Sequence, residues 1–307
     1  MVAGAPSAAA GVLTARRWWR PAWPVVVLAV LPLVVYLGVL VGTGHLLASG
    51  DDVNQNLPLR VLVGRQLAAG HLPLWDPWIW SGTPLLAGFN AGAAYPLVVL
   101  FALFSGTLAL AATTAAAFSA AAVGTYALLR SSGMRVAGAT LAGATFAFAG
   151  ATVGQSVHLD TLEGIASLPW VLLGVRGLVA EGRWRWAVLA GTAFGLTVLA
   201  GGPEAILDTT AAALVVALVA PDPVGERWRR LASRGVLAGV VALALGAAQW
   251  LPGLVFIAHS QRADLTLAYV SFGSLPPRPC SCSSPRRPSA ASGRSSVATS
   301  ARSTSPR

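Results

Sequence analysis

The sequence predicts an all-α, polytopic integral membrane protein with about seven transmembrane helices. Three observations lead there. Hydrophobic residues make up 55% of the chain and charged residues only 10%, where a soluble globular chain carries roughly a quarter charged. Mean hydropathy is +0.67. Apolar stretches recur at lengths near the roughly 20 residues a helix needs to cross a bilayer core. Arginines cluster between alternate stretches, the asymmetry that fixes orientation in a membrane.

Taken in order, residues 1–23 form a short segment carrying Arg16, Arg17 and Arg20, and the first apolar stretch follows at 24–47. A secretory h-region runs to only about 7 to 15 residues, so this longer stretch reads as an uncleaved signal anchor with its N-terminus in the cytoplasm. Further stretches lie near 108–129, 136–154, 164–180, 186–200, 204–220 and 235–257. The apolar run 94–104 is too short to cross and is expected to be re-entrant or interfacial. Arg130 with Arg135, then Arg176, Arg183 and Arg185, then Arg227, Arg229, Arg230 and Arg234 all fall on the side of the N-terminus. The acid-bearing segments 49–94, 155–163 and 201–204, and the sequence from His259 onward, then face outward. The expected location is a bacterial plasma membrane: every basic side chain is Arg and none is Lys, beside abundant Ala, Gly, Val and Leu, the coding bias of a GC-rich genome.

The net charge of +10 does not point to nucleic acid, because topology and the C-terminal tail account for most of the arginines. Glycines four apart, Gly38/Gly42, Gly150/Gly154, Gly191/Gly195 and Gly235/Gly239, suit close helix packing. The transmembrane domain is taken as 24–275, including an extracytoplasmic loop at 48–94. From 276 to 307 the chain turns to Pro, Ser and Arg with no acid, a composition that cannot bury enough apolar surface to fold. Cys280 and Cys282 fall there at a spacing that matches no usual zinc pattern. The abrupt change is expected to mark a reading frame lost near residue 276, leaving a longer protein truncated.

The loop at 48–94 carries the functional clue. Asp51 and Asp52 open it at the mouth of the first span. Asn56 is placed to cap a helix with Pro58 near its start and Gly70 at its end. Leu57, Val61, Leu62 and Leu67 would line one side of that helix, with Arg60, Arg65 and Gln66 supplying polar groups, so that it lies in the interface. Trp75, Trp78 and Trp80 follow, amphipathic rings that suit the headgroup layer.

The run GDDVNQNLPLRVLVGRQLAAGHLPLWDPWIWSGTPLLAGFNAGAAYPLVVLFALF resembles the first extracytoplasmic loop of the YfhO-like bacterial membrane proteins. The features in common are an Asp after the first span, a polar helix, Gly70 through Pro77 as G-x-x-P-L-W-[ND]-P, the turn Gly82 through Leu85, and Tyr95 with Pro96. Beyond the loop the likeness rests on hydropathy and on Leu168 to Trp170. That family is grouped with the GT-C glycosyltransferases. The resemblance therefore implies a GT-C-like fold, a polyprenyl-phosphate sugar donor and a cell-envelope acceptor on the outer face, and it brings Trp75 and Asp76 into the substrate-binding set. Members are usually much longer.

Such a transfer needs a carboxylate to deprotonate the acceptor and a group to stabilise the departing phosphate. Asp51 and Asp52 are the candidate catalytic pair: adjacent residues point different ways, so one is expected to do chemistry and the other to orient it or assist a cation. The alternative is an acidic flank that favours the loop helix dipole. Arg60 and Arg65 are candidates for the lipid phosphate, or for ordinary headgroup contact. His158, Asp160 and Glu163 form a second outer cluster expected to shape the acceptor groove. His158 and Asp160 alone do not make a metal site, so no metal is assigned; no cofactor is firmly implied, with a divalent cation at the acidic pair left open. Glu204, one turn before Asp208, is either functional at the hydrocarbon boundary or an exposed helix start beside Pro203. The rival readings are a transporter or flippase of a lipid-linked envelope precursor and a noncatalytic truncated fragment. Spans almost free of ionisable residues favour the enzyme over the transporter.

Overall fold

A computed structural model describes residues 21–43, 50–219, 224–260, 266, 267 and 271. Arg16, Arg17 and Arg20, the end of the first expected span at 44–49, and the tail with Cys280 and Cys282 lie outside the described residues. Contacts divide the chain into Met1–Ala263 and Asp264–Arg307. In the second unit the nitrogen of Ser271 donates to the oxygen of Leu267 at 2.9 Å.

Among its described residues the first unit is mainly helical. Helix α1 (Trp23–Val35) starts on Pro24 and is followed, after Tyr36, by the single turn α2 (Leu37–Leu40). A π-helical turn, Asp52–Asn56, runs into α3 (Leu57–Ala68). A two-residue hairpin pairs β1 (Trp75–Asp76) antiparallel to β2 (Thr83–Pro84). The chain then passes through two 3-10 turns into α4 (Leu100–Leu103) and the long helix α5 (Gly106–Ser131). The remainder is α6 (Val136–Phe148), α7 (Gly150–Gly154), α8 (Leu159–Glu181), α9 (Trp184–Ala200), α10 (Pro203–Val219), α11 (Val224–Arg230) and α12 (Val236–Ala258).

Among the described residues, four helical segments are long and apolar enough to cross a membrane: Gly106–Ser131, Val136–Val157, Leu159–Glu181 and Trp228–Ala258. The other three expected spans appear as shorter helices, 13 residues in α1 and 17 in each of α9 and α10.

Local chemistry explains these elements. Helix α5 is dominated by alanine, the strongest helix former, and its buried Thr113 and Thr114 donate to the Ala109 and Leu110 oxygens one turn back, at 2.7 and 2.8 Å. Helix α8 ends at Gly182, whose φ of +62° is left-handed and reverses the chain into α9. Close contacts are made by glycine. Gly174 meets the backbone of Ala190, Gly177 the ring of Trp186, and Gly191 and Gly195 the face of α12. Of the four glycine pairs singled out above, Gly191/Gly195 makes the close helix contact; Gly42, Gly150, Gly154, Gly235 and Gly239 face open space. Five helices thus pack side by side in the order α6, α5, α8, α9, α12, with α1 against α5 and α10 against α8.

The helix connections define two ends. One carries the α8–α9 turn and α11, with their arginines. The other gathers the first turn of α8, the α9–α10 corner and the loop from residue 50 to 105, which is pinned there: Gln249 on α12 donates to the Leu86 oxygen at 3.0 Å, and Gly201, at φ +95°, lies against the backbone of Phe89.

Candidate functional site

The site is built where the loop meets the first turns of α8. Gly64 lets α3 approach the backbone of Phe101, and a side chain there would collide with it. Helix α3 is therefore packed on α4 and α5, not laid free in an interface. Gly70, at φ +74°, ends it as the sequence predicts.

With α3 held this way, Arg60 points inward. It is 0% exposed, as is Glu163 on the second turn of α8, and the two form a bidentate pair: Nη1 donates to Oε1 at 2.9 Å and Nη2 to Oε2 at 2.7 Å. Gly92, at φ +52°, lies against the guanidinium, where any Cβ would collide with Nη2. Arg60 Nε is buried without a hydrogen-bond partner. Tyr95 is buried beside the pair, its hydroxyl pushed to a higher pKa first by burial and then by the Glu163 charge. Both terminal nitrogens of Arg60 are thus held by Glu163 and hidden from any external phosphate. Arg65, on the outer side of the same helix, is exposed.

Nine residues before Arg60, the adjacent aspartates differ sharply. Asp51 has a half-exposed side chain whose Oδ2 lies 3.2 Å from Nε2 of His158. Nδ1 of that ring lies 3.0 Å from Oε1 of Gln155. Both ring nitrogens thus face oxygen atoms, which fixes the orientation of the ring. Asp52 is only 7% exposed, and its Oδ1 accepts from Asn56 Nδ2 at 3.3 Å. Burial raises its pKa, opposed by the Asn56 bond and the charges of His158 and Arg60, and reinforced by Asp51. Asn56 also donates to the Val157 oxygen at 3.1 Å. It makes no side-chain cap to α3, because its own backbone is already helical. Its side chain ties the π-helical turn to the entry of α8.

Asp160 continues the cluster. It is buried, accepts from Asn90 Nδ2 at 3.1 Å, and takes its neighbour's Thr161 N–H at 2.9 Å. The two groups that the sequence separates, Asp51/Asp52 and His158/Asp160/Glu163, are therefore one constellation. Asn56, Gln155, Asn90 and Tyr95 join it without having been singled out for that role. For Asn90 and Tyr95 the available sign was isolation, each a lone polar group in an apolar or glycine-rich run where burial requires a partner; Asn56 and Gln155 sit in polar runs that carry no such sign.

The remaining expected residues make none of these hydrogen bonds, although Glu204 is close enough to interact electrostatically with Asp160. Asp76 is 2% exposed and accepts the Trp78 N–H at 2.8 Å, bracing the hairpin, while Gln66 donates to the Trp75 oxygen at 2.8 Å. Trp78 and Trp80 project from the tip, 83% and 87% exposed, and Trp75 is half exposed over Gly82. The tip is tightly wound, with Trp80 and Ser81 at φ +49° and +64°. Glu204 is exposed in the first turn of α10. Among the described residues no group of three or more His, Cys, Asp or Glu could hold a metal.

Comparison with protein-family models, with curated proteins and with solved structures finds no match.

Proposed function

We propose that the chain is a membrane glycosyltransferase of the GT-C type, with seven membrane crossings and a cytoplasmic N-terminus, transferring a sugar from a polyprenyl-phosphate carrier to a cell-envelope acceptor on the extracytoplasmic face of a bacterial membrane. The observation that carries the reading is the asymmetry of the aspartates. Asp51 is half exposed and oriented by His158, in the position of a general base that reaches an acceptor hydroxyl. Asp52 is buried and fixed by Asn56, so it positions the turn. Arg65 replaces Arg60 as the group for the donor phosphate, since it alone of the two is exposed. The exposed tryptophans sit on the same loop, where they suit the headgroup layer at the depth of a lipid-borne donor.

The loop motif shared with the YfhO-like proteins supports this assignment. Transport of a lipid-linked precursor is the second reading, and Glu163, an ionisable residue in a helix long enough to cross, is what favours it. Its place in the second turn, paired with a loop arginine, is not the mid-membrane position that transport requires.

The test is sugar transfer to envelope polymer from a polyprenyl-phosphate donor by the reconstituted protein. Asp51→Asn keeps size and removes the proton acceptor, and turnover is expected to fall roughly 100-fold or more with donor binding near normal. Full transfer by Asp51→Asn would defeat its assignment as the base, and full transfer by Asp52→Asn as well would defeat the catalytic role of the pair.

A further inference from the structure

At the end of the bundle opposite the acidic cluster, a cleft of about 510 Å³ opens between the α8–α9 turn and the segment leading into α12. It is lined by Glu181, Gly182, Arg183, Trp184, Arg185 and Arg234. Three arginines and one glutamate give it a net charge of +2. Glu181 is nearly buried and lies 3.5 Å from Arg183 and 3.0 Å from Arg185, so a single carboxylate faces two guanidinium groups. Arg185 is also stacked on the Trp186 ring, 5.0 Å from its centroid. On the other wall, Arg234 lies against Gly182, in the space a Cβ there would take, and no acidic partner faces it among the described residues. Arg230 lies beside Gly182, its Nη1 donating to the Val179 and Ala180 oxygens at 2.6 and 2.8 Å and so satisfying the end of α8.

Position identifies the ligand class. The cleft lies at the end of Leu159–Glu181 and near the start of Trp228–Ala258, two segments long and apolar enough to cross a bilayer. Its mouth is therefore at headgroup depth when those segments span. Trp184, 68% exposed at the rim, has the amphipathic ring that prefers that layer. Guanidinium groups bind phosphate oxygens in a bidentate fashion, and basic pockets between helices on the cytoplasmic side suit anionic headgroups.

We propose that this cleft binds the phosphodiester headgroup of an anionic phospholipid, with Arg183 and Arg234 gripping the phosphate from opposite walls and Glu181 holding Arg183 and Arg185 in place. The site is separate from the acidic cluster and does not depend on the glycosyltransferase reading; it rests on the helices lying in a bilayer with this end on the cytoplasmic side, the orientation proposed above.

The experiment uses the full chain purified in neutral detergent, supplied with phosphatidylglycerol or phosphatidylcholine, with retained lipid counted by native mass spectrometry. Phosphatidylglycerol is expected to be retained in preference. Arg234→Gln is expected to weaken its retention about fivefold, the effect of one surface arginine on an anionic lipid, while Arg234→Lys keeps most of it. Arg135→Gln, an exposed arginine at the same end but outside the cleft, is expected to change nothing. Equal retention of the two lipids would overturn recognition of an anionic headgroup, and an equal loss in Arg135→Gln would overturn the site in favour of diffuse surface charge. Displacement of the lipid by millimolar inorganic phosphate would overturn the lipid in favour of a free anion.

Discussion

Glu163→Ala is expected to be among the most damaging single substitutions in the chain, and its magnitude follows from the geometry. Arg60 and Glu163 are both 0% exposed and share two hydrogen bonds of 2.9 and 2.7 Å. Removing the carboxylate leaves a buried guanidinium without its hydrogen-bonded partner, which costs roughly 3–5 kcal/mol when a buried pair is broken from one side. Arg60→Ala strands Glu163 in the same way, although a carboxyl can relieve the loss by taking up a proton. Replacing both, Arg60→Met with Glu163→Leu, removes the uncompensated charge, and such exchanges are often neutral or stabilising by about 1–4 kcal/mol. The assay is equilibrium unfolding in detergent micelles across the double-mutant cycle, with hydrogen exchange over residues 50–105 to locate the loss. The single variants should open the loop and the double variant should recover much of its protection. If both singles lose less than about 1 kcal/mol, the value of a solvent-exposed pair, the pair is not buried as described.

Two further outcomes follow from the same end of the molecule. Burial raises the Asp52 pKa, so the folded state holds the proton more tightly than the unfolded chain; stability is greatest at acid pH and falls as pH rises from the ordinary carboxylate value to the raised one. Asp52→Asn should flatten that slope, measured as the pH dependence of loop exchange, and an unchanged slope would assign the titration elsewhere. For the proposed orientation, cysteines introduced at Ser81 and Ser260 should react with an impermeant thiol reagent outside intact cells and one at Ser132 should not; labelling at Ser132 would move the acidic cluster to the cytoplasm.

The helical class was legible because composition and the recurrence of apolar stretches depend only on local sequence. The lengths were less so. Pro32 and the break at Tyr36 leave α1 with 13 residues, where summed hydropathy runs on across such points, whereas the break expected between 186–200 and 204–220 is the Gly201–Gly202 corner between α9 and α10. The ends of α3 show the same division. Gly70 stops the helix by its own backbone freedom, which sequence reveals, whereas the side chain of Asn56 turns from capping to bridging Asp52 and Val157, residues brought together only by tertiary packing. Arg60 is the strongest case. Its neighbours in sequence suggest an outward polar face, and its true partner lies 103 positions away.

That distant partner bears on the chemistry. Apolar packing of α3 on α4 and α5 is non-directional and would tolerate small slips of the helix along its axis. A bidentate pair is directional, and because the helical chain from Asp51 to Arg60 is unbroken, fixing Arg60 on Glu163 also fixes Asp51 against His158 five residues earlier on the α8 side. Glu163 thus acts on the proposed base as a positioning residue, through the backbone and without touching substrate. The charge-free double variant separates the two contributions: it removes the stranded charge but not the need for register. If it folds as tightly as the parent yet loses transfer, with donor binding retained, the pair serves to aim Asp51. If transfer survives intact, packing alone sets the register and the pair is only a buried tether.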